Sequence, residues 1–176
     1  MVALAPWAVA IAIAFTAGIT DFRSRRIPNW LTVPGLILGI AANAGVHGWP
    51  GARDALLGAA AALAVLLPFV LVRSLGAGDW KFMGAIGGCV GLHHLIPVLF
   101  ITLLANGILA FGMIVYKRRT VRAMHNMWDM LRALVTLHAP PSELTLDNPD
   151  AVKVPFGVAA ALAIVLYSAH QIWSSQ

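Results

Sequence analysis

Six apolar runs, at residues 3–20, 31–46, 55–72, 80–92, 95–116 and 154–173, leave this chain few ways to fold. A bilayer-crossing helix needs roughly 20 apolar residues at about 1.5 Å rise each. A chain of 176 residues therefore admits at most about six or seven spans with short joints. Charged residues make up only 11% of the sequence, where a soluble domain carries about 25%. That excludes a soluble enzyme and a disordered chain. The single cysteine, Cys89, excludes an intrachain disulfide and a Cys-x-x-Cys metal site. The first run has no basic segment before it and no small-residue cleavage site after it, so it reads as a span and not a signal peptide. The fourth run is short and glycine-rich, and the tight His93-His94 joint leaves open whether it and the fifth form one broken element. The expectation is an all-α polytopic membrane bundle of about six helices, one domain over residues 1–176.

Charge placement orients the bundle. Arg23, Arg25, Arg26, Arg73, Lys81, Lys117, Arg118, Arg119, Arg122, Arg132 and Lys153 all fall on one side if six spans alternate, and only Arg53 falls on the other. The positive-inside rule makes the crowded side cytoplasmic and puts both termini outside. The excess of cations, 12 against 7 acids, thus reports orientation in a lipid bilayer and not nucleic acid. Between spans five and six, Val121, Met124, Trp128, Leu131 and Val135 recur at helical spacing opposite Arg118, Arg119, Arg122 and Arg132. This pattern fits a basic amphipathic helix on the cytoplasmic leaflet, or equally one packed on the spans. A Pro- and Asp-rich loop, residues 139–150, follows it.

Chemistry has few places to come from. No His-Glu-x-x-His, Gly-x-Ser-x-Gly, phosphate-binding loop or dinucleotide fingerprint is present. His93 and His94 fall on the outer side, where adjacent side chains on a short loop face water. Among the seven acids only Asp21 and Asp79 sit at ends of apolar runs, and alternation places both at the cytoplasmic end. Acids in such places are costly and functional by default. Each also has a plain structural use. Asp79 follows Gly76-Ala-Gly78 and is placed to cap a helix N-terminus, and Asp21 is placed as a solvated flank near Arg23 and Arg25. The two glycines favour the functional reading of Asp79, since they let a peptide backbone approach closely.

Gly76-Ala-Gly78-Asp79-Trp-Lys81 resembles the Gly-x-Gly-Asp signature of intramembrane aspartic proteases, with the x-Lys extension of type IV prepilin peptidases. Asp21-Phe-Arg23, followed by Arg26-Ile27-Pro28-Asn29, is similar to that family's first-aspartate motif. Val154-Pro155-Phe156-Gly157 resembles the Pro-Tyr/Phe-Gly at the start of its last span. The larger members carry a cysteine-rich zinc domain that N-methylates the new pilin terminus. One cysteine cannot supply it, so the chain looks like the short, peptidase-only branch serving Flp-type (tight-adherence) pili.

The resemblance implies an Asp21/Asp79 dyad on one water, no metal and no cofactor. The ionised member acts as base and the protonated one hydrogen-bonds the scissile carbonyl. The supporting motif residues are Gly76, Gly78, Lys81, Arg23, Pro28, Asn29, Pro155 and Gly157. The substrate is a prepilin with a short basic leader before a hydrophobic helix, cut at the cytoplasmic face of a bacterial inner membrane. Two other readings stand beside it: a related intramembrane protease with another substrate, such as a preflagellin, and a non-enzymatic small transporter or assembly subunit. A transporter would more often show inverted repeats and an acid near the midplane. Gly35/Gly39 and Gly84/Gly88 have the spacing of close helix contacts and are expected to pack this bundle and not a dimer.

Overall fold

The computed structural model describes residues 4–116, 128, 129, 132 and 154–174. Four helices make up nearly all of them: α1 (Leu4–Ser24), α2 (Asn29–Leu71), α3 (Ala77–Tyr116) and α4 (Phe156–Ser174). The first three are long and apolar enough to cross a membrane, and α4 has a shorter apolar stretch, Phe156–Gln171. Among the described residues there is no β-strand. The bundle is all-α, as the apolar runs require.

Helices α2 and α3 have 43 and 40 residues. Unbroken, each would reach about 60 Å, twice the hydrocarbon thickness of a bilayer. Each is broken at one glycine. Gly48 has φ 63° and ψ −147°, and Gly91 has φ 76° and ψ 172°. Left-handed φ costs an L-residue roughly 1–2 kcal/mol and glycine almost nothing, so a single residue turns the chain without a loop. At Gly48 the reversal is tight: a side chain at Gly51 would run into the Asn43 carbonyl oxygen and the His47 Cβ. The breaks divide α2 into residues 29–47 and 49–71, and α3 into 77–90 and 92–116. Six helical segments result, and the fourth and fifth runs are separate. They part at Gly91, while His93 and His94 lie inside the helix that follows.

The broken ends are satisfied locally. Asn43 Nδ2 donates to the carbonyls of Gly39 (3.0 Å), Gly88 (3.2 Å) and Cys89 (2.8 Å), two of which lie just ahead of the Gly91 break. Beyond the break, Leu92 N–H donates to Asp54 Oδ1 at 3.3 Å. Unpaired backbone groups are expensive at membrane depth, and these two side chains meet that need.

Small residues, including Ala10, Ala14, Ala17, Ala55, Ala62, Ala160 and Ala163, line much of the interior beside larger ones such as Leu66, Phe82, Met83 and Ile86, while Phe15, Ile37, Ile96, Phe100, Ile108 and Phe111 point outward. Small residues between helices and large apolar ones outside suit a bundle packed in lipid. The expected glycine contacts occur within the chain: a side chain at Gly35 would meet Ile13, one at Gly39 would meet Cys89, one at Gly84 would meet Leu63 and one at Gly88 would meet Leu36. Residues 29–47 run parallel to 77–90, since Asn29 meets Lys81 and Asn43 meets Cys89. Residues 49–71 run antiparallel to it, since Gly58 lies against Gly87 and Trp80 Nε1 donates to the Leu63 carbonyl at 2.8 Å. Helices α1 and α4 are antiparallel, pairing Asp21 with Gly157, Gly18 with Ala161 and Trp7 with Tyr167.

The expected amphipathic helix and the loop after it lie outside the described residues, apart from Trp128, Asp129 and Arg132. The Arg132 guanidinium sits 5.2 Å from the centroid of the Trp128 ring.

Candidate active site

One end of the bundle gathers three segments far apart in sequence. Asp21 lies one turn before the end of α1 and is buried, at 5% exposure. Its Oδ2 accepts a 2.7 Å hydrogen bond from the backbone N–H of Gly157. A residue with a Cβ at position 157 would bring it to 3.0 Å from the Asp21 Cβ and 3.1 Å from the Ala17 carbonyl oxygen. Glycine at 157 is thus what lets the start of α4 close on this carboxylate. Pro155, just before α4, supplies the carbonyl that accepts from Val158 N–H (3.2 Å) and Ala159 N–H (3.3 Å), which opens the helix.

Asp79 lies in the first turn of α3 and is half-buried. Its carboxylate accepts from the backbone N–H of Gly76, the capping geometry expected of an acid there. The capping use and the pairing use are compatible, because Asp21 is near enough for its charge to act on Asp79. In an apolar bundle two acids so placed are not a solvated flank, and Asp21 is not one.

The Arg26-Ile27-Pro28-Asn29 segment links these two aspartates. Ile27 is buried, and a side chain at Gly78 would come within 3.1 Å of its carbonyl oxygen. Pro28 N-caps α2 with extended backbone (φ −77°, ψ 148°) and accepts from Leu31 N–H at 3.1 Å. Lys81 Nζ donates to Asn29 Oδ1 at 3.2 Å. Arg23 is exposed. Asp21, Gly76, Gly78, Asp79, Lys81, Pro28, Asn29, Pro155 and Gly157 therefore share one end of the bundle.

Two arginines flank the site with backbones in the left-handed region, Arg25 at φ 53° and Arg73 at φ 56°. Nothing in their residue type announces this. Trp80, between Asp79 and Lys81, also escapes sequence reasoning, yet its indole ties the start of α3 to Leu63. Among the described residues no group of three or more His, Cys, Asp or Glu is arranged to hold a metal.

The opposite end holds aromatic and histidine side chains. His94 Nδ1 is 3.1 Å from the Tyr167 hydroxyl, which also accepts from Gln171 Nε2 at 2.8 Å. The Trp7 ring lies edge-on to His94 at 5.4 Å. His94 is thus packed between α1 and α4 and does not simply face water, as a loop position would have it.

Fold and site together define an integral membrane helix bundle with a pair of acids set at one end. The chain belongs to the type IV leader peptidase family, whose pattern matches residues 8–111. It is similar to the prepilin leader peptidase/N-methyltransferase of Escherichia coli K12, at 32% identity over 130 residues. That match covers 69% of this chain and 57% of the relative, so the chain spans little more than half of that protein. No solved structure matches it.

Proposed function

We propose that the chain is an aspartic endopeptidase of the membrane that removes the leader of Flp-type prepilins, with Asp21 and Asp79 as its catalytic pair. What supports this reading is that two acids on different helices lie at one end of the bundle, Asp21 accepting from Gly157 N–H and Asp79 capping the start of α3 within range of the Asp21 charge. Two adjacent carboxylates share a proton and titrate as a unit. The ionised one draws a proton from a water, whose oxygen attacks the scissile carbonyl carbon. The protonated one donates to the carbonyl oxygen, and a proton then passes to the leaving amine as the C–N bond breaks.

The concentration of cations at the end bearing Asp21 and Asp79 supports a cytoplasmic site in a bacterial inner membrane, with both termini outside. The one cysteine, Cys89, is buried inside the bundle, so residues 1–176 hold no cysteine pairs for a zinc domain. Residues 1–176 are therefore proposed to carry peptidase activity and no methyltransferase activity. The test is to incubate membranes carrying the chain with an Flp-type prepilin and read the product N-terminus by mass spectrometry. The expected product is leaderless and unmethylated. Cleavage of a preflagellin alone would favour the related-protease reading, and cleavage of neither would favour a transporter or assembly subunit.

A further inference from the structure

The segment between α1 and α2 does more than connect them. It runs from Arg25, one turn beyond Asp21, to Pro28, and Asn29 is the first residue of α2. Together they lie against the first turn of α3 at two points. Gly78, immediately before Asp79, packs on the Ile27 backbone so closely that a Cβ there would sit 3.1 Å from the Ile27 carbonyl oxygen. One half-turn after Asp79, Lys81 Nζ donates to Asn29 Oδ1 at 3.2 Å. Asp79 is thus bracketed, on both sides in sequence, by contacts to Ile27 and Asn29, in the stretch that follows the α1 turn bearing Asp21.

From this geometry we propose that Lys81 and Asn29 form a polar latch that sets the position of Asp79 relative to Asp21. They are positioning residues and touch neither the water nor the peptide. The close backbone contact at Gly78 fixes how closely the segment approaches α3 but leaves it free to slide. The Lys81–Asn29 bond is directional and stops that sliding. A long flexible ammonium is a weak anchor when solvated. Lys81 and Asn29 are both exposed, so their bond acts together with the Gly78–Ile27 contact beside it and not alone. The latch rests on the paired-aspartate reading, since positioning matters only if the two acids act together. It differs from a direct role of the Lys81 charge in chemistry, which would not need Asn29.

The experiment compares Asn29→Ala, Lys81→Ala, the double variant and Asn29→Asp with the parent chain, in detergent-solubilised full-length protein at matched abundance. Asp79→Asn is the control, and kcat and KM for a prepilin are measured separately. A misplacement of about an ångström at a reacting group costs 10- to 100-fold, so each alanine variant is expected to lose about tenfold in kcat with KM within about twofold. The double variant loses no more than either single one, and Asn29→Asp, which still accepts from Lys81, keeps most of the activity. Full activity in both alanine variants, losses that multiply in the double variant, or a loss confined to Lys81→Ala would each overturn the latch. Where an alanine variant fails to accumulate, Asn29→Asp and Lys81→Arg decide: the latch requires both to stay active and is overturned if either is dead. Activity surviving in Asp79→Asn would instead overturn the aspartate reading on which the latch stands.

Discussion

Gly157 donates its backbone N–H to the Asp21 carboxylate across 136 positions of sequence, and a Cβ at Gly157 would stand 3.0 Å from that of Asp21. This contact makes the start of the last helix part of the site and not merely a neighbour. It also makes the site sensitive to a single methyl group. Gly157→Ala is expected to push α4 or the aspartate aside and lower cleavage on the order of tenfold or more, with the protein still inserted. Initial rates in membranes, normalised to protein level, check this.

The buried Asn43 amide serves three carbonyls near the Gly91 break. Asn43→Leu keeps the volume and removes the donors. An orphaned buried polar group costs about 1–3 kcal/mol, so the variant is expected to melt several degrees lower in detergent. A thermal shift assay on the purified chain measures it, and an unchanged melting temperature would contradict the role given to Asn43.

Glycines in this bundle are not equivalent. A side chain at Gly58 would strike the Gly87 carbonyl oxygen, and one at Gly91 would add a φ of 76° to a collision with Asp54. Overpacking costs typically about 1–3 kcal/mol, so Gly58→Val and Gly91→Ala are expected to lower resistance to heat and protease. Around Gly45, Gly107 and Gly112 there is open space within 4 Å. Alanine at any of these is expected to leave stability within about 0.5 kcal/mol. Parallel melts of the five variants separate the two groups.

How much of this was legible in the sequence differs from part to part. The six apolar runs and the three motif segments were readable because hydropathy and residue type carry them directly. The breaks were not: Gly48 and Gly91 are two of 16 glycines, and nothing local distinguishes a glycine with positive φ from one that packs against a neighbouring helix. His94 looked like a loop residue because its partner, Tyr167, lies 73 positions away. For the same reason Trp80 showed nothing of its bond to Leu63, and Arg25 and Arg73 showed nothing of their left-handed backbones. Asp79 could be placed at a helix start from sequence, but where it stands relative to Asp21 depends on how α1 and α3 meet.

Cys89 is 1% exposed and packed against α2, with its Sγ 3.8 Å from the Gly35 carbonyl oxygen. A thiol so enclosed reacts with a maleimide only when the bundle opens. Labelling is expected to be absent in native membranes and complete in denaturing detergent, as followed by a gel shift. Rapid native labelling would mean that helices 29–47 and 77–90 are not packed as described.

The central claim is that Asp21 and Asp79 act as one unit, and substitution of each tests it most directly. Cleavage of an Flp-type prepilin is measured in membranes holding equal amounts of the parent chain, Asp21→Asn and Asp79→Asn. The account predicts that the parent removes the leader and that either substitution lowers the rate by at least about 1,000-fold, since removing a member of a catalytic unit abolishes most of its contribution. A rate near the parent's in either variant, at normal abundance, would contradict it.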